Sequence, residues 1–79
     1  MKDTGGNAQE KLQAMLRRIR VDAGVTQADL ASRLGVPQSV VSKYESGERR
    51  LDILELRQVC KALGLPLADF VRRLEKEIP

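Results

Sequence analysis

Four glycines, Gly24, Gly35, Gly47 and Gly64, divide the chain, and prolines follow two of them at Pro37 and Pro66. Glycine supplies the left-handed residue that ends a helix, and a proline just beyond cannot continue one. The segments between these marks have room only for short helices. In the first, Leu12, Leu16 and Ile19 fall on one helical stripe that begins near Ala8 and meets no Gly or Pro before Gly24. Thr26-Gln-Ala-Asp29 has capping-box spacing, and Leu30, Ala31 and Leu34 form the inward face of the helix it opens. Pro37 suits the first turn of a third helix, which runs to about Ser46. Asp52 opens a fourth, with Ile53, Leu56, Cys60 and Leu63 as its stripe. Pro66 starts a fifth, carrying Leu67, Phe70, Val71, Leu74 and Ile78. No alternating β-branched run competes, so the pattern predicts an all-α fold of five helices. Residues 1–7 are polar and Gly-rich, a disordered lead-in to one domain over residues 8–79.

Composition removes several classes of function. The 79 residues include no His and a single Cys. A disulfide within the chain is therefore excluded, and one thiol cannot supply the three or four ligands of a Zn site. The usual general base at neutral pH is missing, and neither a Gly-rich phosphate loop nor an acidic cluster is present, so no enzyme is expected. Cys60, on an apolar stripe, acts as a small hydrophobe. The longest uncharged apolar stretch, residues 62–68, is far below the roughly 20 residues that span a bilayer. The opening MKDTGGNAQE has no apolar core of the signal-peptide kind. What remains is a small intracellular binding protein without cofactor, metal or membrane partner.

Charge then narrows the partner. Residues 1–50 hold nine Lys/Arg against six Asp/Glu, whereas residues 51–79 hold five of each. All of the net charge of +3 lies in the first fifty residues, which suits either a polyanion partner or a solubilised surface. On the third helix, Gln38, Ser42, Ser39 and Lys43 lie at about 0°, 40°, 100° and 140°, while Val40, Tyr44 and Val41 lie at about 200°, 240° and 300°. The apolar arc must face the domain. The polar arc holds no acid, and Gln, Ser and Lys are side chains that read base edges, although a solvated face could carry them too. One Phe and one Tyr, both on apolar stripes, offer no stacking platform for RNA.

The stretch TQADLASRLGVPQSVVSKYESG, Thr26 to Gly47, closely resembles the helix-turn-helix of the Xre family, the Cro and phage-repressor type of DNA-binding domain. The resemblance extends over about residues 12–70, from RRIRVDAGVTQ to LDILELRQVCKALGLPLADF. It implies a lambda-repressor-like arrangement of the five helices that binds double-stranded DNA in the major groove. It also implies roles for individual residues. Gln27 matches a position that clamps a phosphate, and Gln38, Ser39 and Lys43 match positions that reach base edges. Ser42 lies beside a base or the backbone, and Val40 sits where a side chain can touch a thymine methyl. Ser46 and Arg50 match backbone-binding positions, and Arg49 joins them on charge alone. Arg20 and Glu45 match a partly buried ion pair joining the first and third helices. Arg17 and Arg18 are expected mainly as a solvated outer face, with phosphate attraction at longer range as the alternative.

One recognition helix makes too few base contacts to select an operator, so a homodimer on a pseudo-palindromic site is expected. Leu67, Val71, Leu74 and Ile78 lie within about 60° on the fifth helix, with Phe70 at the edge. Phe70, Leu74 and Ile78 are the expected dimer contacts. With the chain ending at Pro79, no ligand-sensing or self-cleaving domain is expected, and regulation would follow concentration and occupancy. The expected function is a cytoplasmic, nucleoid-associated transcription regulator, most simply a repressor. Two sub-types stay open, an autoregulatory controller of a restriction–modification locus and a small phage or plasmid repressor. An antitoxin that binds a toxin and represses its own operon would share the same reading face.

Overall fold

The computed structural model describes residues 4–79, with side chains from residue 8 onward. Five helices follow one another: α1 (Thr4–Asp22), α2 (Gln27–Leu34), α3 (Gln38–Ser46), α4 (Ile53–Ala62) and α5 (Leu67–Glu77). No strand occurs among the described residues, as the periodicity predicts.

Local chemistry sets the boundaries. At the start of α2 the Thr26 hydroxyl accepts from the Asp29 N–H at 3.0 Å, and the Thr26 N–H donates to the Asp29 carboxylate at 3.1 Å. Asp52 and Glu55 make the same reciprocal pair at the start of α4, at 2.7 and 3.0 Å. Gly35, at φ +71°, closes α2 while the Val36 N–H returns to the Ala31 carbonyl at 3.0 Å. Pro37 and Pro66 stand one residue earlier than the sequence suggests. Each occupies the N-cap with extended backbone, φ −64° and −63°, and its carbonyl receives the first helical bond. The ring constrains φ equally well there, and no N–H is wanted.

The first helix also differs from expectation. Of the lead-in expected over residues 1–7, Met1–Asp3 lie outside the described residues, whereas residues 4–7 form the first turn of α1. Extending a nucleated helix adds one hydrogen bond per residue, which offsets the poor propensity of Gly5 and Gly6.

Packing follows the stripes in most places. Leu16, Leu30, Val41, Val59, Cys60 and Phe70 are each fully buried, so all five helices contribute to one core. Each such aliphatic side chain contributes about 1.5–3 kcal/mol by leaving water. Two expectations need correction. Ile53 is 58% exposed, because the first turn of α4 projects past the core, and Val59 is buried in its place. Phe70 is 0% exposed within its own chain, so it has no surface left for a partner and is not a dimer contact. Leu74 is half-buried against the same core, and Ile78 is half-buried just beyond the end of α5.

Candidate nucleic-acid interface

The link between α2 and α3 is only Gly35, Val36 and Pro37, so the chain reverses its course within one turn. Val41 and Tyr44, on the inward arc of α3, are buried. Anchoring that arc leaves Gln38, Ser39, Ser42 and Lys43 exposed on the other side, as a continuous strip of amide, two hydroxyls and an ammonium. Such a strip can donate to phosphates and can both donate to and accept from base edges. Val40, expected beside a thymine methyl, is half-buried and lines a cleft between α3 and α4, with only part of its surface available to a ligand.

Three side chains fix this strip relative to the rest of the chain. The Arg20 guanidinium of α1 donates from Nε and Nη2 to the two carboxylate oxygens of Glu45 on α3, at 2.6 and 2.9 Å. Its Nη1 donates to the Val25 carbonyl at 2.8 Å. Gln27 of α2 donates from Nε2 to Glu45 at 3.1 Å. Burial pushes the Glu45 carboxyl up, but the hydrogen bonds from Arg20 and Gln27, with the charge of Arg20, leave it below its usual value. All three helices around the turn thus meet at one carboxylate. The structure brings Arg20, Gln27 and Glu45 together. Gln27, half-buried at the first position of α2, still has a second amide N–H beyond the one Glu45 takes.

The loop after α3 separates residues that charge alone groups together. Arg49 donates to Glu55 at 2.8 Å and lies over the Tyr44 ring, 5.5 Å from its centroid. The Arg49 hydrogen bond, seconded by the Asp52 backbone N–H, holds the Glu55 carboxyl below its usual range. Arg49 is thus a clasp between α3 and α4 whose charge is largely answered. Arg50 is exposed and enters none of the three ion pairs among the described residues. Ser46 directs its hydroxyl to the Lys43 carbonyl and the Glu48 carboxylate, at 3.3 and 3.4 Å, and accepts from the Glu48 N–H at 3.4 Å. Arg17 and Arg18, both exposed, diverge. The Arg17 charge reaches Glu45, while Arg18 lines a cleft with Arg73 and Lys76 of α5.

Two further contacts had no signal in the periodicity. Gln13 of α1 lies against Gly47, where a Cβ would come within 2.5 Å of its Nε2, so the end of α3 is seated on α1. Arg33 of α2 donates to the Ala62 carbonyl at 2.8 Å, satisfying an acceptor at the C-terminus of α4. Among the described residues no group of acidic, Cys or His side chains is arranged to hold a metal. No described helix is long and apolar enough to cross a membrane.

Comparison with known proteins gives a consistent set of relatives. A family model described as helix-turn-helix matches residues 16–70. An uncharacterized transcriptional regulator in the ATPase CF(0) region of Rhodospirillum rubrum is 34% identical over 64 residues, covering 81% of this chain and 59% of that protein. This chain therefore spans less than two thirds of that relative. An XRE-family like protein from Pseudomonas syringae pv. tomato superposes with a TM-score of 0.85 at 43% identity, over 96% of this chain and 94% of that one. The restriction–modification controller protein C.Esp1396I superposes with a TM-score of 0.82 at 31% identity, over 90% and 92% of the two chains.

Proposed function

The chain belongs to the Xre-type helix-turn-helix family of transcription regulators, and on that premise we propose that it is a sequence-specific repressor binding a pseudo-palindromic operator as a homodimer. The observation that carries this reading is the exposed strip Gln38, Ser39, Ser42 and Lys43 on a helix anchored by Val41 and Tyr44. A rigidly held helix presenting donors and acceptors without an acid is what a major groove accepts. In this reading Gln38, Ser39 and Lys43 contact bases, and Ser42 and Val40 stand beside them. Gln27 and Arg50 hold phosphates on either side, with Ser46 and Arg49 acting chiefly to shape the loop. The protein works in the cytoplasm on the nucleoid, needs no cofactor or small ligand, and catalyses no reaction. Repression follows from occupancy alone, because a bound dimer blocks access to the promoter.

The likeness to C.Esp1396I, which extends over nine tenths of both chains, favours one sub-type: a controller that sets expression of its own locus. Selection of duplexes from a randomised pool tests the general reading. Enrichment of a two-fold symmetric sequence with half-sites about one helical turn apart is the expected result. A pool that stays random, with binding that depends only on salt, rejects sequence-specific reading. A reporter driven from the selected site then separates repression from activation.

A further inference from the structure

Arg49 is fastened to the end of the reading helix by its backbone. Its N–H donates to the Lys43 carbonyl at 3.2 Å, the oxygen that also receives the Gly47 N–H at 3.1 Å and the Ser46 hydroxyl at 3.3 Å. It stands between Lys43, a base contact in the proposed reading, and Arg50, a phosphate contact. Its guanidinium nevertheless turns towards α4. There it lines the cleft between α3 and α4 with Val40, Tyr44 and Glu55, lies over the Tyr44 ring, and donates from Nη2 to Glu55 Oε2 at 2.8 Å.

The two members of this pair are not equally fixed. Glu55 belongs to the cap of α4: its Oε1 accepts from the Asp52 N–H at 3.0 Å, and its own N–H donates to Asp52 at 2.7 Å. The carboxylate therefore stays where the helix begins. The Arg49 side chain is 49% exposed, and Glu55 takes one of the five N–H groups a guanidinium carries. An ion pair so open to water is held weakly, and Arg49 is the member free to leave.

We propose that Glu55 competes with the DNA backbone for Arg49, withholding a cation that would otherwise bind a phosphate beside Arg50. The proposal rests on the DNA-binding reading above and names a residue that sets its strength. Carboxylate and phosphate oxygens offer a guanidinium the same kind of acceptor. To reach a phosphate, Arg49 must give up Glu55, which then stands as an unanswered anion beside a polyanion. Exchanging one anion for another yields little net binding. Arg50, which enters none of the three ion pairs among the described residues, has no such exchange to make. Glu55 is thus a positioning residue that acts through Arg49 and touches neither base nor phosphate. In a regulator that works by occupancy, it raises the concentration at which the operator fills without changing the sequence that is read.

A double-variant cycle of Glu55→Gln and Arg49→Ala, read by duplex titrations at several salt concentrations, tests the competition. Gln keeps the oxygen that closes the α4 cap and removes the charge that holds Arg49, and thermal melts check that every variant folds. Near about 0.1 M salt, Glu55→Gln is expected to bind selected and scrambled duplexes alike roughly five- to tenfold more tightly, with a salt slope steeper by about one. In the Arg49→Ala background the same change should gain less than about twofold and leave the slope unaltered, since a distant charge is screened. A gain that persists without Arg49 would show Glu55 acting as a plain negative charge, and an unchanged slope in Glu55→Gln would show that no phosphate contact was withheld. Either result overturns the proposal. Duplex selection by the wild type stands apart. Selection with no effect of Glu55→Gln removes the competition alone, and a steeper slope without selection removes the sequence-specific reading alone. A wild type that binds no duplex at any salt removes both.

Discussion

Arg20 lies along the Glu45 carboxylate with two of its nitrogens while its third holds the Val25 carbonyl, so one side chain ties α1 both to α3 and to the turn that leads into α2. The two side chains are only 9% and 5% exposed. A buried pair of this kind fixes geometry more than it adds stability, since desolvation of both ions offsets much of their attraction. Removing one partner, however, leaves an unpaired buried charge.

Arg20→Met and Glu45→Gln are each expected to lose about 3–5 kcal/mol, and the double variant clearly less than the sum. Denaturant melts of the four proteins measure the coupling. Because the folded-state carboxyl of Glu45 titrates below its usual 4.5, its contribution is complete above that value and is lost as pH falls through the lowered one. The wild type should thus lose more stability than Glu45→Gln between about pH 5 and pH 2. Parallel curves for the two would mean that the carboxylate contributes nothing specific.

Neighbouring arginines should behave differently in DNA binding. Arg50→Ala is expected to weaken binding to all duplexes and reduce the salt slope by about one, as loss of a phosphate contact does. Arg49→Ala should change the slope less and lower the melting temperature more, because its guanidinium is already held by Glu55 and Tyr44. Lys43→Ala should instead cost about 1–3 kcal/mol at one base pair of the selected site and flatten preference there. Titrations of the selected and a scrambled duplex at two salt concentrations separate these outcomes. Equal slopes for the two Arg variants would contradict the assignment.

Gly35 and Gly47 allow backbone cost to be separated from crowding. Both sit at positive φ, +71° and +88°, but a Cβ at Gly35 would meet nothing within 4 Å, whereas at Gly47 it would meet Gln13. Each Gly→Ala change should cost about 1–2 kcal/mol for the left-handed backbone. Gln13 is flexible and touches Gly47 with its far end, so the excess at Gly47 should stay within about 0.5 kcal/mol. Melts of both variants in wild-type and Gln13→Ala backgrounds decide this. A larger excess that Gln13→Ala abolishes would show the α1 contact to be rigid.

Burial pushes the Cys60 thiol up to about 11. At about pH 8 the folded protein should react with a thiol reagent at least about a thousandfold more slowly than the denatured chain, the residual rate reporting opening. Comparable rates would mean that α4 is not packed as described.

Five helices were legible in the sequence because Gly and Pro act locally: Thr26 and Asp52 cap through residues three positions on, within reach of spacing rules. The pairing of Arg20 with Glu45 was reached through family resemblance and not through periodicity. What escaped were contacts set by where a helix ends in space. Periodicity assigns Ile53 and Val59 to arcs but cannot tell that the first turn of α4 overhangs the core. Nor can it foresee that the loop after Gly47 returns Arg49 to Glu55, or that α5 turns Phe70 wholly inward. Both depend on the path of a connection, which no repeat encodes.

The connections between the helices are three to six residues long. Neighbouring elements therefore find one another without a wide search, and helical domains of this kind fold within microseconds to milliseconds. Ribosomal synthesis, at about 5–20 residues per second, needs several seconds for these 79 residues alone. Maturation adds almost nothing to that interval. Under the proposed reading, in which the protein controls its own locus, the delay between message and control is then set by translation, and a feedback loop built on it can be as quick as the ribosome allows.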